Sequence, residues 1–250
     1  MNKAIVIGAS SGIGMEVGKL LISDGWKIGI AARRTDRLLE LKAKSPQMVE
    51  VETIDVNKDE AEDLLLSLIA VTGGMDLFFY APGIGRQNPT LDPEIEEKTV
   101  ITNALGFTRM IGAAYRYMSQ HGGGHIAAIT SIAGTKGLGP APSYSATKAF
   151  QSTYIEALEQ LANTQKLNIR FTDVRPGFVG TALLNDGNRY PMMLRKEDVA
   201  YEIVEAIRKH KHVCVIDWRW RLVTALWRCI PKCIWRHLPL KVKKQKEKNQ

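Results

Sequence analysis

Several short stretches of this chain are apolar at almost every position. Residues 4–7 read AIVI and residues 77–80 read LFFY. A strand with one wet face alternates apolar and polar side chains, so a strand that is apolar throughout is covered on both faces. Further short β-branched runs occupy 27–31, 48–54, 126–130, 169–174 and 213–216. Between the runs the apolar period changes. Ile13, Val17, Leu20 and Leu21 mark one helical face, Leu38, Leu39 and Leu41 a second, and Leu64, Leu65, Leu68 and Ile69 a third. Strands buried on both sides, alternating with helices, imply βαβ units and an α/β fold built on a parallel sheet with helices on both faces.

The 250 residues suit one large domain or two small ones, and neither a linker nor an internal repeat interrupts them before about residue 218. The expected organisation is a single domain over 1–217 followed by a tail over 218–250. Hydrophobic residues at 45 % and charged residues at 24 % fit a soluble globular protein with a sizeable core. No apolar run is long enough to cross a bilayer. The N-terminus enters a strand pattern at once, so no secretory signal is read and the expected location is cytoplasmic. The three cysteines, Cys214, Cys229 and Cys233, are too few for a disulfide framework. Cys229, Cys233 and His237 succeed one another at i, i+4 spacing. Pro231 interrupts that turn and no carboxylate completes a ligand set, so the reading is helix-face packing and no metal. The net charge of +8 is uneven. Residues 219–250 carry ten lysines or arginines against one acid, Glu247, while the body is close to neutral. A basic tail on a neutral body is poor ground for a nucleic-acid-binding fold.

Directly after the first run, residues 8–14 read GASSGIG. In a parallel sheet the helix after a strand aims its free backbone N–H groups beyond the strand end, where they attract phosphate. Gly8, Gly12 and Gly14 let a ligand approach the backbone, Ser10 and Ser11 add hydroxyls, and Ile13 lies in the same turn. A first strand followed by a Gly-rich turn is the usual start of such a site, and the expected fold is a Rossmann-type, doubly wound parallel sheet of about seven strands. The second run ends in Ala31, Ala32, Arg33 and Arg34, about twenty residues on. An acid there binds an adenosine 2′-hydroxyl. Arginines suit a 2′-phosphate, which favours NADP(H) over NAD(H). The same letters fit G-x-S-x-G, the nucleophile elbow of a serine hydrolase, with Ser10 as nucleophile and Asp173 with His210 or His212 in the required order. Against that reading, an elbow comes after a central strand well into a fold, and only seven residues precede Gly8.

Residues 144–148 read YSATK and begin a helical stretch from Ser143 to about residue 162. Tyr144 and Lys148 are i, i+4 and share a face. A phenol with a pKa of about 10 is a poor acid or base at neutral pH. A nearby ammonium favours the phenolate and lowers that pKa, so the tyrosine can exchange a proton with a carbonyl oxygen. Ser131, in AAITSIAG after the fifth run, can hydrogen-bond the same oxygen. Asn103 lies in VITNALG, in the preceding helical region.

In this order the residues resemble the short-chain dehydrogenase/reductase family, in its NADP-preferring type, over about residues 3–217. GASSGIG matches the family's cofactor glycine motif, and Asp55 with Val56 the acid–apolar pair that holds adenine. Asn103, Ser131, Tyr144 and Lys148 match its catalytic tetrad. Pro176 and Gly177 in VRPGFVGT match the turn beside the nicotinamide, with Val179 and Thr181 at its carboxamide. The resemblance implies an oxidoreductase that moves a hydride between NADP(H) and a carbonyl or secondary alcohol, as a homodimer or homotetramer. It implies that Tyr144 gives or takes the proton, that Lys148 lowers its pKa and binds the nicotinamide ribose, and that Ser131 orients the substrate oxygen. It further implies that Asn103 holds a water of a proton relay through its backbone. One landmark departs. Where the family usually has Asn-Asn-Ala-Gly after the fourth strand, this chain has Tyr80, Ala81, Pro82 and Gly83. Ala81 and Gly83 keep their place beside the cofactor, but the bracing amides are gone and Pro82 removes a backbone donor.

Residues 181–195, TALLNDGNRYPMMLR, fall where the family carries a mobile substrate lid. Leu183, Leu184, Tyr190, Met192 and Met193 either pack on the body or form an apolar wall suited to an apolar substrate. The tail holds Trp218, Trp220, Trp227 and Trp235. Residues 219–230, RWRLVTALWRCI, look like an amphipathic helix, and Pro231 and Pro239 break the rest of the tail into short pieces. Packing against a second subunit or against the chain itself is the favoured reading of this tail, ahead of peripheral contact with an anionic membrane surface. Nucleic acid ranks third, since no recognised module is present. The alternative to an enzyme is a non-catalytic NADP(H)-binding sensor or scaffold on the same fold. The complete Tyr144, Lys148, Ser131 and Asn103 set argues for catalysis.

Overall fold

The computed structural model describes residues 1–184, 187–188 and 190–240. Among them, seven parallel strands form one sheet: β1 (Lys3–Ile7), β2 (Lys27–Ala32), β3 (Val49–Thr53), β4 (Leu77–Tyr80), β5 (Gly124–Ile129), β6 (Ile169–Arg175) and β7 (Val213–Val215). Each run read from the sequence forms one of them. Their order is β3-β2-β1-β4-β5-β6-β7. Winding therefore proceeds outward from β1 in one direction and from β4 in the other. The crevice beyond the carboxyl ends of these two strands is where open α/β sheets bind ligands.

The helices are α1 (Gly12–Ser23), α2 (Thr35–Lys44), α3 (Ala61–Thr72), α4 (Pro93–Val100), α5 (Phe107–Gln120), α6 (Pro142–Thr164), α7 (Lys196–Arg208), α8 (Trp218–Cys229) and the short α9 (Lys232–Trp235). They explain why AIVI and LFFY are apolar throughout. Ala4, Val6, Leu77 and Phe79 enter one core, with Val17 and Leu21 of α1, Leu38 of α2 and Ile203 of α7. Ile5, Ile7, Phe78 and Tyr80 enter the other, with Leu65 and Leu68 of α3, Phe107 and Met110 of α5 and Ile155 of α6. Alternate side chains point to opposite faces, and both faces are roofed by helices.

Two local features position the site. First, α4 and α5 are joined by a π turn, Ile101–Gly106, which carries Asn103. Such widened turns concentrate at functional sites, because the broken i→i+4 ladder frees backbone groups for other partners. Second, Asp217 takes φ +72°, and its side chain accepts from Arg219 N at 2.8 Å. This corner starts α8, whose Trp220 and Thr224 are buried. No described helix is long and apolar enough to cross a membrane. Among the described residues no cluster of histidine, cysteine, aspartate or glutamate could hold a metal ion.

Candidate active site

A cleft of about 1320 Å³ lies at the carboxyl ends of the strands. Its first end is the turn between β1 and α1. Gly8 and Gly12 have φ of +85° and +60°, a region that L side chains rarely enter. A Cβ on Gly14 would stand 2.5 Å from the carbonyl oxygen of Gly8, and one on Gly8 would stand 3.0 Å from Pro82 N. The turn closes on itself and on the loop after β4, leaving no room for side chains. Ser11 occupies the N-cap position of α1 without making a side-chain cap bond. Instead Arg34 Nη2 donates to Ser11 Oγ at 2.7 Å and to Ser10 Oγ at 3.2 Å. Arg33 comes directly after the last residue of β2 and also lines the cleft.

These contacts decide the hydrolase reading. Ser10 faces an arginine. Asp173 is buried and accepts from Thr130 Oγ1 and from Arg175 Nε. His210 accepts from Arg170 Nη1, and His212 pairs with Glu159. The four candidates for the three triad positions, Ser10, Asp173 and either His210 or His212, have four separate sets of partners, and no triad assembles.

At the other end stand Ser131, just past β5, and Tyr144 and Lys148 on α6. Burial pushes the Tyr144 phenol above its ordinary value, and the neighbouring Ser131 hydroxyl opposes this with smaller effect. Lys148 Nζ lies 5.8 Å from the Tyr144 ring centroid. Burial lowers the Lys148 ammonium to about 7, against the opposing pull of Asp173. The expected depression of Tyr144 by Lys148 is therefore not the net effect in this cleft, because burial acts on both groups and penalises each charged form. Gly85 lets the β4 loop pack on the phenol, since a Cβ there would stand 2.3 Å from Tyr144 Cδ2.

Asn103 differs from the other three. It is fully buried behind the cleft wall. Its Oδ1 accepts from Ile84 N at 2.9 Å, and its Nδ2 donates to Ile84 O at 2.7 Å and to Thr147 Oγ1 at 3.2 Å. The π turn is thereby fastened to the loop after β4, the loop that lost its usual asparagines. Tyr80 fills the first of those positions with a ring set edge-on to Phe107, centroids 5.2 Å apart, its hydroxyl buried and without a partner. The main-chain oxygen of Asn103, expected to hold a relay water, accepts from Gln151 Nε2 at 2.8 Å.

The remaining wall joins residues 176–184 and 190–192 to the tail. A Cβ on Gly177 would stand 2.2 Å from Trp220 Nε1, so this glycine admits the α8 indole. Trp220 also meets Phe178 edge-on at 5.4 Å. Trp227 Nε1 donates to Thr135 Oγ1, Trp235 Nε1 to Gly137 O and Lys136 Nζ to Ile230 O, each at 2.7 Å. The tail is stitched to the loop beyond Ser131, and Trp220, Val223, Trp227 and Leu240 line the cleft. Leu183, Leu184, Tyr190 and Met192 line it as well, whereas Met193 is turned to solvent. Asn185, Asp186 and Arg189 of the expected lid lie outside the described residues.

Every cofactor position read from the sequence lines the cleft, as do Ser131, Tyr144 and Lys148. Sequence reasoning missed the contribution of the tail. Its signal was present in the tryptophans spaced along RWRLVTALWRCI, but spacing alone does not say what such a face packs against.

Comparison with known proteins agrees with this geometry. The short chain dehydrogenase family model matches residues 2–190. An uncharacterized oxidoreductase of Staphylococcus aureus (strain MRSA252) is 31 % identical over 217 residues, covering 85 % of this chain and 93 % of the relative. A serine dehydrogenase solved in closed form with NADP⁺ superposes with a TM-score of 0.75 at 25 % identity, over 86 % of this chain and 94 % of that one. A 3-ketoacyl-(acyl-carrier-protein) reductase from Brucella melitensis, solved with NADH, gives the same TM-score at 20 % identity, over 86 % and 96 %. The chain belongs to the short-chain dehydrogenase family and is an oxidoreductase of that family.

Proposed function

We propose that this protein transfers a hydride between NADP(H) and a carbonyl or secondary alcohol bearing an apolar group, with Tyr144 as general acid–base. The observation that carries the reading is the single cleft that has the glycine cradle and Arg33 at one end and Ser131, Tyr144 and Lys148 at the other. The cradle fits a dinucleotide, because the close packing of Gly8 and Gly14 holds the β1–α1 turn and the N-terminus of α1 at the cleft, where backbone N–H groups attract phosphate. Arg33 and Arg34 would meet an adenosine 2′-phosphate, with the Ser10 and Ser11 hydroxyls beside them. Asp55 and Val56 would flank the adenine, and Val179 and Thr181 the carboxamide.

The nicotinamide, when bound, supplies the hydride chemistry. The chain's own groups handle the proton and the orientation. Ser131 holds the substrate oxygen within reach of the Tyr144 hydroxyl, and Tyr144 gives that oxygen a proton or takes one from it. Lys148 steadies the phenolate and the nicotinamide ribose. Tyr190, Met192, Trp220, Val223 and Trp227 cover the substrate's apolar part. We further propose that the working protein is a homo-oligomer acting on a small molecule.

The test pairs NADPH binding with turnover of a panel of carbonyls and alcohols. Tyr144→Phe should keep NADPH affinity within about threefold and lose at least about a hundredfold in turnover, the usual worth of a general acid–base. Turnover equal to wild type would refute the assignment of Tyr144. Tight NADPH binding without turnover of any substrate by the wild type would favour the sensor reading.

A further inference from the structure

Gln151 lies on α6 three residues beyond Lys148 and seven beyond Tyr144, on the same helical face. It is completely buried. A buried carboxamide is costly unless its polar ends are paired, and an apolar residue would fill the position without that cost. Both ends are paired. Oε1 accepts from Lys148 Nζ at 2.9 Å, and Nε2 donates to the main-chain oxygen of Asn103 at 2.8 Å. The side chain thus bridges the ammonium to the π turn between α4 and α5.

Lys148 Nζ has a second acceptor in the carbonyl oxygen of Ile129, at 3.1 Å. Two of its three N–H groups are thereby held from behind. The third is left on the cleft side, where a Cβ on Gly83 would stand only 3.2 Å from Nζ. The acceptors behind the ammonium are neutral, so they aim it without cancelling its charge. The ionisable groups facing it are Tyr144 on its own helix and Asp173 on β6, the latter already taken by Arg175 and Thr130.

We propose that Gln151 is a positioning residue whose carboxamide fixes the Lys148 ammonium against the π-turn carbonyl, so that its charge faces Tyr144 and the remaining N–H serves the cofactor ribose. The consequence for turnover rests on the oxidoreductase reading; the bridge rests on the geometry alone. A lysine is a compact charge on a four-carbon stem with three rotatable donors, and a two-point tether removes that freedom. Small misplacements of a catalytic group cost about a hundredfold in rate. The amide is also chemically apt. A glutamate would bind Lys148 but would not donate to Asn103 O, and a leucine would do neither.

These two near-isosteric replacements supply the test, because they push Lys148 in opposite directions. Gln151→Glu and Gln151→Leu should each lose about tenfold to a hundredfold in kcat. The pH–rate limb belonging to Lys148 should move up by about one unit in the first and down in the second. A second readout needs neither substrate nor cofactor. Lys148 is depressed in the folded protein, so the unfolded chain binds more protons between about 7 and the ordinary lysine value. This group therefore makes the protein more stable as pH rises through that window. Gln151→Glu should narrow that window from its low-pH side, Gln151→Leu should extend it to lower pH, and Lys148→Met should remove it from every background. Opposite shifts support the bridge. Shifts of the same sign, or none, in variants that still melt cooperatively overturn it. Diverging stability windows in a protein without any dinucleotide-linked turnover would support the bridge and count against the oxidoreductase reading alone.

Discussion

The two ends of the cleft are built in different ways. The cofactor end is local. Its turn comes directly after β1; Gly14 is required by the carbonyl oxygen of Gly8 within the turn itself, and Gly8 packs on Ala81 and Pro82 just past the end of the neighbouring strand β4. The substrate end is assembled from afar. Its wall includes α8, held by Trp227 against Thr135 and by Trp220 against Gly177, contacts that span 92 residues in the first case. A turn that packs on itself tolerates almost no change and serves one kind of ligand. A wall made by a docked helix can alter its shape while the turn stays fixed. Under the proposed function, the binding of the cofactor and the choice of substrate would be carried by separable parts of one fold.

Breaking the local end should have the largest effect. Gly14→Val would drive a branched side chain into Gly8 O and open the turn. Losing two charge-assisted backbone bonds to phosphate corresponds to a loss of about a hundredfold or more in dinucleotide affinity. Titration calorimetry with NADPH and NADH should show both weakened alike, while thermal unfolding stays cooperative. Retained affinity would mean that the dinucleotide does not lie on this turn.

A graded effect is expected one layer out. Arg33→Ala removes a cation at the end of β2 and leaves the turn untouched. NADPH affinity should fall about tenfold to a hundredfold, the worth of one charge-assisted contact, with NADH affinity unchanged. An unaltered ratio of the two would remove the argument for a 2′-phosphate at this position.

The same contrast explains what could be read in advance. AIVI and LFFY announced strands covered on both faces, and the two cores on either side of β1 and β4 are what such strands require. GASSGIG, YSATK and VRPGFVGT lie at strand ends or on one helical turn, so their spacing already fixes their geometry. Asn103 was legible as a residue but not in its action, because a π turn leaves no pattern in the hydrophobic period and its carbonyl partner, Gln151, is 48 residues away. Tyr80 looked like a loss of bracing. Only the packing reveals that its ring meets Phe107 and that Asn103 takes up the fastening of the loop. The tail was the least legible part. Its amphipathic face was visible, but its partner is the loop after Ser131, whose shape depends on the rest of the fold.

The far end should respond through substrate alone. Trp227→Ala leaves a gap in the wall beside Val223 and Leu240. The KM for bulky apolar substrates should rise about tenfold, equivalent to roughly 1.4 kcal/mol, with NADPH affinity held within about twofold. A matching loss of NADPH affinity would mean that the two ends are coupled and not separable.

The smallest change asks how firmly the tail is docked. Trp227→Phe keeps an aromatic ring in the wall but deletes the N–H that reaches Thr135 Oγ1 at 2.7 Å. The Thr135 hydroxyl keeps a partner, because it donates to Ile132 O at 2.6 Å, so no buried donor is stranded by the change. The cost should therefore be that of one ordinary hydrogen bond, about 1 kcal/mol. If α8 docks as an independent unit, this cost appears as faster amide exchange confined to α8 and α9, and the protection of β1 and β4 is unchanged. If the whole protein loses stability by the same amount, the tail belongs to the cooperative core, and the substrate wall is no easier to remodel than the glycine turn.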